Sequence, residues 1–248
     1  MYRIHVINQI RKRIKQISRC RAVLITFDIA MVLLVLFVYG QTTGKVCTVD
    51  AEIGTRNETV MNGEIKKIAL TFDDGPHYAY TKILLDGLKE RGAVATFFVT
   101  GEHAALHPDL VKRMHEEGHL VGNHTYSHMQ LRAGNHEEYK EELISTSELL
   151  EGIIGEEIIF VRPPYGSWDK KFEEELNLIP VLWTVDPLDW CSSSVECIVQ
   201  NTICDVEEND IILMHDYYET SVSAALEIVD KLSEEGFVFV TVEELLFE

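Results

Sequence analysis

The sequence predicts an α/β protein, a distorted (β/α) barrel of about seven parallel strands preceded by one N-terminal transmembrane helix. Three observations carry this. From Lys66 onward, short apolar runs alternate with longer stretches of helical periodicity, the pattern of a βα chain with a parallel sheet. Polar residues able to do chemistry gather just after the ends of successive apolar runs, as they do where the loops of a barrel converge on its axis. Residues 22–39, AVLITFDIAMVLLVLFVY, are apolar except for Thr26 and Asp28, which is membrane length. A doubly wound open sheet would give a similar string of elements, and the placement of the polar residues is what favours the barrel.

Taken in order, residues 1–21 hold seven Lys or Arg and no acid, a basic segment expected in the cytoplasm. Residues 22–40 are then a transmembrane signal anchor that leaves everything after Gly40 outside; a signal peptide cut after Gly40 is the alternative. Residues 41–64 are polar and aperiodic, a tether with a typical reach of roughly 25 Å. Removing the seven N-terminal cations leaves 15 basic against 41 acidic residues, a net of −26. So acidic a body repels phosphates, which excludes a nucleic-acid role. Within 65–248, the expected domain, β-branched and aromatic runs predict strands at 68–72, 95–99, 120–122, 159–161, 181–185, 211–214 and 237–240. Apolar residues at helical spacing predict helices at 80–91, 108–117, 137–154, 170–176, 195–204, 222–235 and 242–247. Cys47, Cys191, Cys197 and Cys204 fall on the exported side, where disulfides form. Their spacing fits no zinc pattern, so a structural disulfide or free buried thiols are the alternatives, and the cluster after Trp190 points to at least one local bridge.

Chemistry collects at one end of the strands. TFDDGP brings Asp73 and Asp74, and HTYSH brings His124 and His128. RPPYG brings Arg162 and Tyr165, VDPLDW brings Asp186, Asp189 and Trp190, and LMHD brings His215. Each has a bland alternative as a turn, cap or core residue; five sets at successive strand ends are harder to dismiss together. Asp74, His124 and His128 offer one carboxylate and two imidazoles, a set suited to zinc or a similar divalent ion with a position left for water or substrate. Such an ion polarises a carbonyl and acidifies water; Asp73 can take the water's proton and His215 can protonate a leaving group. The economical reading is hydrolysis of an amide or ester. HEEGH, His115 to His119, matches the zinc-protease pattern HExxH but fails locally. Gly118 interrupts the helix that must carry both histidines.

TFDDGP, HTYSH, RPPYG, DPLDW and LMHD, in that order over about residues 66–247, resemble the five motifs of the polysaccharide deacetylases, carbohydrate esterase family 4 or NodB homology domains. The resemblance implies a distorted barrel with fewer than eight strands and metal-dependent removal of acetyl groups from N-acetylglucosamine polymers or, in some members, O-acetylated xylan. It implies Asp73 as base, Asp74, His124 and His128 as the metal triad, and Arg162 as the partner of the base. It implies the Tyr165 backbone N–H as an oxyanion donor, His215 as acid with Asp186 as its partner, and Trp190 and Leu213 as the wall for the acetyl methyl. No motif residue is missing, which disfavours a degenerate, inactive member; Leu120 departs from the Glu that many relatives carry there. The expected target is peptidoglycan N-acetylglucosamine at the cell surface. Chitooligosaccharide or acetylxylan, or a non-catalytic carbohydrate-binding role, are the alternatives.

Overall fold

Seven parallel strands form one sheet in the computed structural model, which describes residues 66–204 and 206–247. The basic segment, the transmembrane anchor expected at 22–40, the tether and Cys47 lie outside the described residues. Among the described residues no helix is long and apolar enough to cross a membrane.

The centre is β1 (Lys66–Asp73), buried over its last six residues because it is paired along both edges. Its first half pairs with β7 (Phe237–Val240), and its second half lies between β2 (Thr96–Val99) and β6 (Ile211–His215). Beyond β2 come β3 (Leu120–Asn123), β4 (Phe160–Val161) and β5 (Ile179–Pro180). A strand buried on both faces reads as a continuous apolar run, as IALTF does. After β5 the chain crosses to the opposite side of the sheet. Thr184 N–H donates to Ile211 O, Leu213 N–H donates to Val185 O, and Val185 bridges Ile212. The sheet is thereby curled into a half-barrel, in keeping with the distorted barrel expected.

The helices are α1 (Tyr80–Arg91), α2 (Gly101–Leu106), α3 (Pro108–Glu116), α4 (His136–Ile154), α5 (Lys171–Leu176), α6 (Val195–Ile203), α7 (Glu219–Glu234) and α8 (Val242–Phe247). In α1, Leu84, Leu85 and Leu88 face the core, and the helix stops at Gly92, whose φ of 63° favours glycine. In α4, Tyr139, Leu143, Thr146 and Leu150 repeat at one-turn intervals and bury a single stripe. The core beneath these helices includes Phe72 stacked on Phe97, ring centroids 5.2 Å apart. Truncating a core side chain such as Leu88 to alanine would cost about 2–5 kcal/mol.

Three expectations need correction. The fifth strand is not at 181–185 but at Ile179–Pro180. Arg162 explains the shift, because its Nε donates to Val181 O and one terminal nitrogen to Leu182 O, diverting carbonyls a strand would need. A six-residue helix, α2, stands where no helix is predicted; it is too short to show a period. The local disulfide is absent, since Cys191 and Cys197 carry free, exposed thiols.

Candidate active site

Register places the functional residues at one level. Asp73 ends β1 directly beside His215, the last residue of β6, while Asn123 pairs with Val161, so that His124 and Arg162 leave their strands together. The loops that follow are bent sharply. Of seven non-glycine residues with left-handed φ among the described residues, five flank the site: Asp74 (72°), Thr125 (61°), His128 (58°), Tyr165 (58°) and Leu188 (57°). Such conformations cost on the order of 1–3 kcal/mol each and persist where the surroundings hold them. For Thr125 the hold is the Asn123 side chain, whose Oδ1 accepts the Thr125 N–H at 2.8 Å.

Asp74, His124 and His128 converge. Asp74 Oδ1 lies 3.4 Å from Nε2 of each histidine, and one ligand atom from each of the three residues falls within 4.8 Å of the others. His124 Nδ1 is 2.6 Å from Arg162 O, and since a carbonyl can only accept, Nδ1 carries the proton. Nε2 is thus presented to the centre as a lone pair, the arrangement by which an outer partner orients a metal-binding imidazole. Burial alone would raise the Asp74 pKa. The close approach of His124 and the charges of His124, His128 and His215 instead bring it down to about 2. Burial works to lower the His124 pKa, but Asp73, Asp74 and the Arg162 carbonyl outweigh it and the net direction is up. For His128 burial wins and the pKa falls, favouring the neutral ligand form. Asp74 Oδ1 is buried with no hydrogen-bond partner, the atom a cation would satisfy. The three residues therefore fit a divalent ion, the set expected from the sequence.

Asp73 is gripped from behind. Arg162, with no exposed surface, donates to Asp73 Oδ1 at 3.0 Å and to Thr71 Oγ1 at 2.5 Å. Its guanidinium also lies 4.3 Å from the Phe98 ring centroid, over the ring face. Burial lowers the Arg162 pKa, and the Asp73 carboxylate opposes that shift. Asp73 Oδ2, 3.8 Å from His124 Nε2, is left facing the centre.

Across the site stands His215, and here a predicted pairing is overturned. Its partner is Asp189, not Asp186: Asp189 Oδ1 is 2.8 Å from His215 Nδ1, and Oδ2 accepts the His215 backbone N–H at 2.9 Å. The exposed Asp186 instead closes its own turn by accepting the Leu188 N–H at 2.9 Å. Burial by itself would lower the His215 pKa. The hydrogen bond and charge of Asp189, with Asp73 and Asp74 further off, raise it to about 9. The groups around His215 and the triad open into a cavity of about 380 Å³. Tyr165, Trp190, Leu213 and Asp186 all line it, and so do Trp183 and Tyr218, which the sequence did not single out.

The HExxH pair is not brought together with these residues. Helix α3 stops at Glu116 and Gly118 takes φ 84°, which leaves His119 beyond the helix end. His119 is 4% exposed and accepts the Ala95 N–H on Nδ1 at 3.1 Å, capping β2. Burial pulls its pKa down to about 4, so it stays neutral.

Fold and site together define a hydrolase-type α/β chain with a carboxylate–imidazole metal cradle between a held carboxylate and a held imidazole. A family model described as polysaccharide deacetylase matches residues 61–181. The peptidoglycan-N-acetylglucosamine deacetylase of Bacillus cereus is 39% identical over 186 residues, covering 72% of this chain and 68% of that protein. The peptidoglycan-N-acetylmuramic acid deacetylase PdaC of Bacillus subtilis is 38% identical over 193 residues, 78% of this chain. The chain spans about two-fifths, 41%, of that protein's length. A solved structure of the peptidoglycan deacetylase PdaC from Bacillus subtilis superposes with a TM-score of 0.70 at 40% identity, covering 73% of this chain and 89% of that one. The chain belongs to the polysaccharide deacetylase family, a family of enzymes.

Proposed function

We propose that the chain is a metal-dependent hydrolase that removes N-acetyl groups from an aminosugar polymer at the cell surface, peptidoglycan N-acetylglucosamine first among them. The observation that carries this reading is the placement of one metal cradle, Asp74 with His124 and His128, between Asp73 on Arg162 and His215 on Asp189. The names of the relatives support the wall polymer, and the apolar stretch at 22–39 behind a basic flank supports a membrane-tethered, outward-facing domain.

A divalent ion held by Asp74, His124 and His128, with zinc the expected one, supplies Lewis acidity toward the acetyl carbonyl and acidity to a water. The chain's own groups do the rest. Asp73 accepts the water's proton on Oδ2, while Arg162 holds Oδ1 and keeps the carboxylate oriented. The Tyr165 backbone, in its left-handed turn, is the expected donor to the developing oxyanion. Trp190 and Leu213 form the wall against which the acetyl methyl packs. His215, held protonated on Nδ1 by Asp189, delivers a proton from Nε2 to the leaving amine. Purified full-length chain, incubated with N-acetylglucosamine oligomers and with peptidoglycan, should release acetate and expose amines. A chelator and Asp73→Asn should each abolish release. Absence of acetate from every aminosugar substrate would overturn the proposal, and release from acetylxylan alone would make the enzyme an esterase.

A further inference from the structure

A second cavity adjoins the first across the metal cradle. It holds about 240 Å³ and shares Asp74, His128 and Tyr218 with the main cavity, adding Glu102, His103 and Tyr217 among its walls. A polymer whose acetamido group sits over Asp74 and His128 extends to the rings on either side of the one that carries it, and this cavity lies directly beside the cradle. The walls suit a sugar. Tyr217 and Tyr218, partly exposed with ring centroids 5.9 Å apart, offer aromatic surface to sugar C–H groups, and polar side chains stand around them. His103 is fixed: its Nδ1 donates to the Asp74 carbonyl at 2.6 Å, which leaves Nε2 as an acceptor for a sugar hydroxyl. Glu102 is exposed; its backbone N–H donates to Tyr126 O at 3.0 Å, while its carboxylate makes no hydrogen bond or ion pair among the described residues. Among the described residues that line either cavity there is no lysine or arginine. A negative charge on the neighbouring ring that reaches the Glu102 side of this cavity would meet a carboxylate and no lysine or arginine.

We propose that this cavity is a second sugar subsite, taking the ring next to the one deacetylated, and that Glu102 makes it selective against an anionic substituent. The substituent in question is the free lactyl carboxylate of a muramic acid; the same lactyl group as a neutral amide is accepted. The inference rests on the deacetylase reading above. Two like charges about 5 Å apart near a solvated surface disfavour the charged neighbour about fivefold.

The test uses full-length protein and two oligosaccharides of alternating N-acetylglucosamine and N-acetylmuramic acid, one with free lactyl carboxylates and one with methylamides. A third substrate is a plain N-acetylglucosamine oligomer. Wild type should give kcat/KM about fivefold higher on the amide than on the carboxylate form. Glu102→Gln should bring that ratio toward one, and Glu102→Lys should reverse it. A wild-type ratio of one, or a ratio that neither variant moves, overturns the subsite proposal while leaving acetyl release intact. Failure to release acetyl from any of the three substrates, the plain oligomer included, would instead sink the deacetylase reading.

Discussion

His215 and Asp189 make the pair on which the pH behaviour of the site turns. With its pKa raised to about 9, His215 is protonated at neutral pH and can act as an acid until the medium passes that value. The kcat/KM profile should therefore hold through pH 8 and fall above about 9. In Asp189→Asn the hydrogen bond and charge that raise the pKa are lost, so the falling limb should move to lower pH, with a rate loss of roughly 10²–10⁴-fold at pH 8. A limb that stays in place would assign the acid to another group. Asp186→Asn should leave the limb where it is, because its carboxylate serves the Leu188 turn. Arg162 makes a different demand. Replacing it with Met leaves the buried Asp73 carboxylate without its counter-charge, and thermal or urea unfolding should register a loss of about 3–5 kcal/mol. The types and strand-end positions of the metal and acid residues were legible in the sequence. Which of two acids three residues apart meets His215 was not. That choice is made by Leu188 in a left-handed turn and by the short 3-10 turn at Asp189–Cys191, which send Asp189 inward and leave Asp186 outside. Neither leucine nor the tripeptide signals such a turn.

The loop after β1 shows how one element depends on another far away in sequence. A Cβ on Gly75 would lie 2.1 Å from Asp216 Oδ1, so the loop that carries Asp73 and Asp74 runs hard against the residue that follows β6. Asp216 is fully buried and is hydrogen-bonded by the Thr81 hydroxyl of α1, tying loop, strand end and helix together. Gly75→Ala should cost about 1–3 kcal/mol through overpacking and should lower activity, as the metal cradle is displaced. If the clash with Asp216 is the cause, Gly75→Ala/Asp216→Gly should lose less stability than the two single changes added together. Simple addition would place the strain elsewhere. The same dependence on distant partners explains which elements the sequence announced. Helices α1, α4 and α7 and strand β1 are long enough to display a period or an unbroken apolar run, and their bounds were readable within a few residues. Strand β4, announced at 159–161, is there as Phe160–Val161, but β5, only two residues long, owes its place to pairing with β4 and to the carbonyls that Arg162 leaves available, neither of which is written locally.

At the scale of the whole molecule, the half-buried Asp74 and His215 and the buried Asp216 pull stability in different directions with pH. Asp74, lowered to about 2, contributes stability that is present above its unfolded value of 3.8 and lost as pH falls through 2. His215, raised to about 9, contributes stability that is full below its unfolded value of 6.5 and lost as pH rises through 9. Asp216 behaves unlike a paired carboxylate. Burial raises its pKa to about 7, against the opposing hydrogen bond from Thr81, so the folded state holds a proton that the unfolded chain has released. Its contribution is full below 3.8 and is lost as pH rises through 7. Asp216 from about pH 4 to 7 and His215 from about pH 6.5 to 9 therefore each make the fold weaker as the medium becomes more alkaline. The rest of the body, with its excess of acids, adds repulsion in the same direction. Asp216→Asn keeps the shape and removes the titration. Urea unfolding of the full-length chain, with chelator present so that metal binding does not intrude, should show the variant gaining on wild type from pH 4.5 to pH 7.5 by on the order of 2–4 kcal/mol. The decline that His215 causes between pH 6.5 and pH 9 should remain in Asp216→Asn and vanish in Asp189→Asn. A wild-type to Asp216→Asn difference that stays constant over that range would mean that Asp216 is ionised throughout, and that the carboxylate beneath the Gly75 loop is held by something other than its proton.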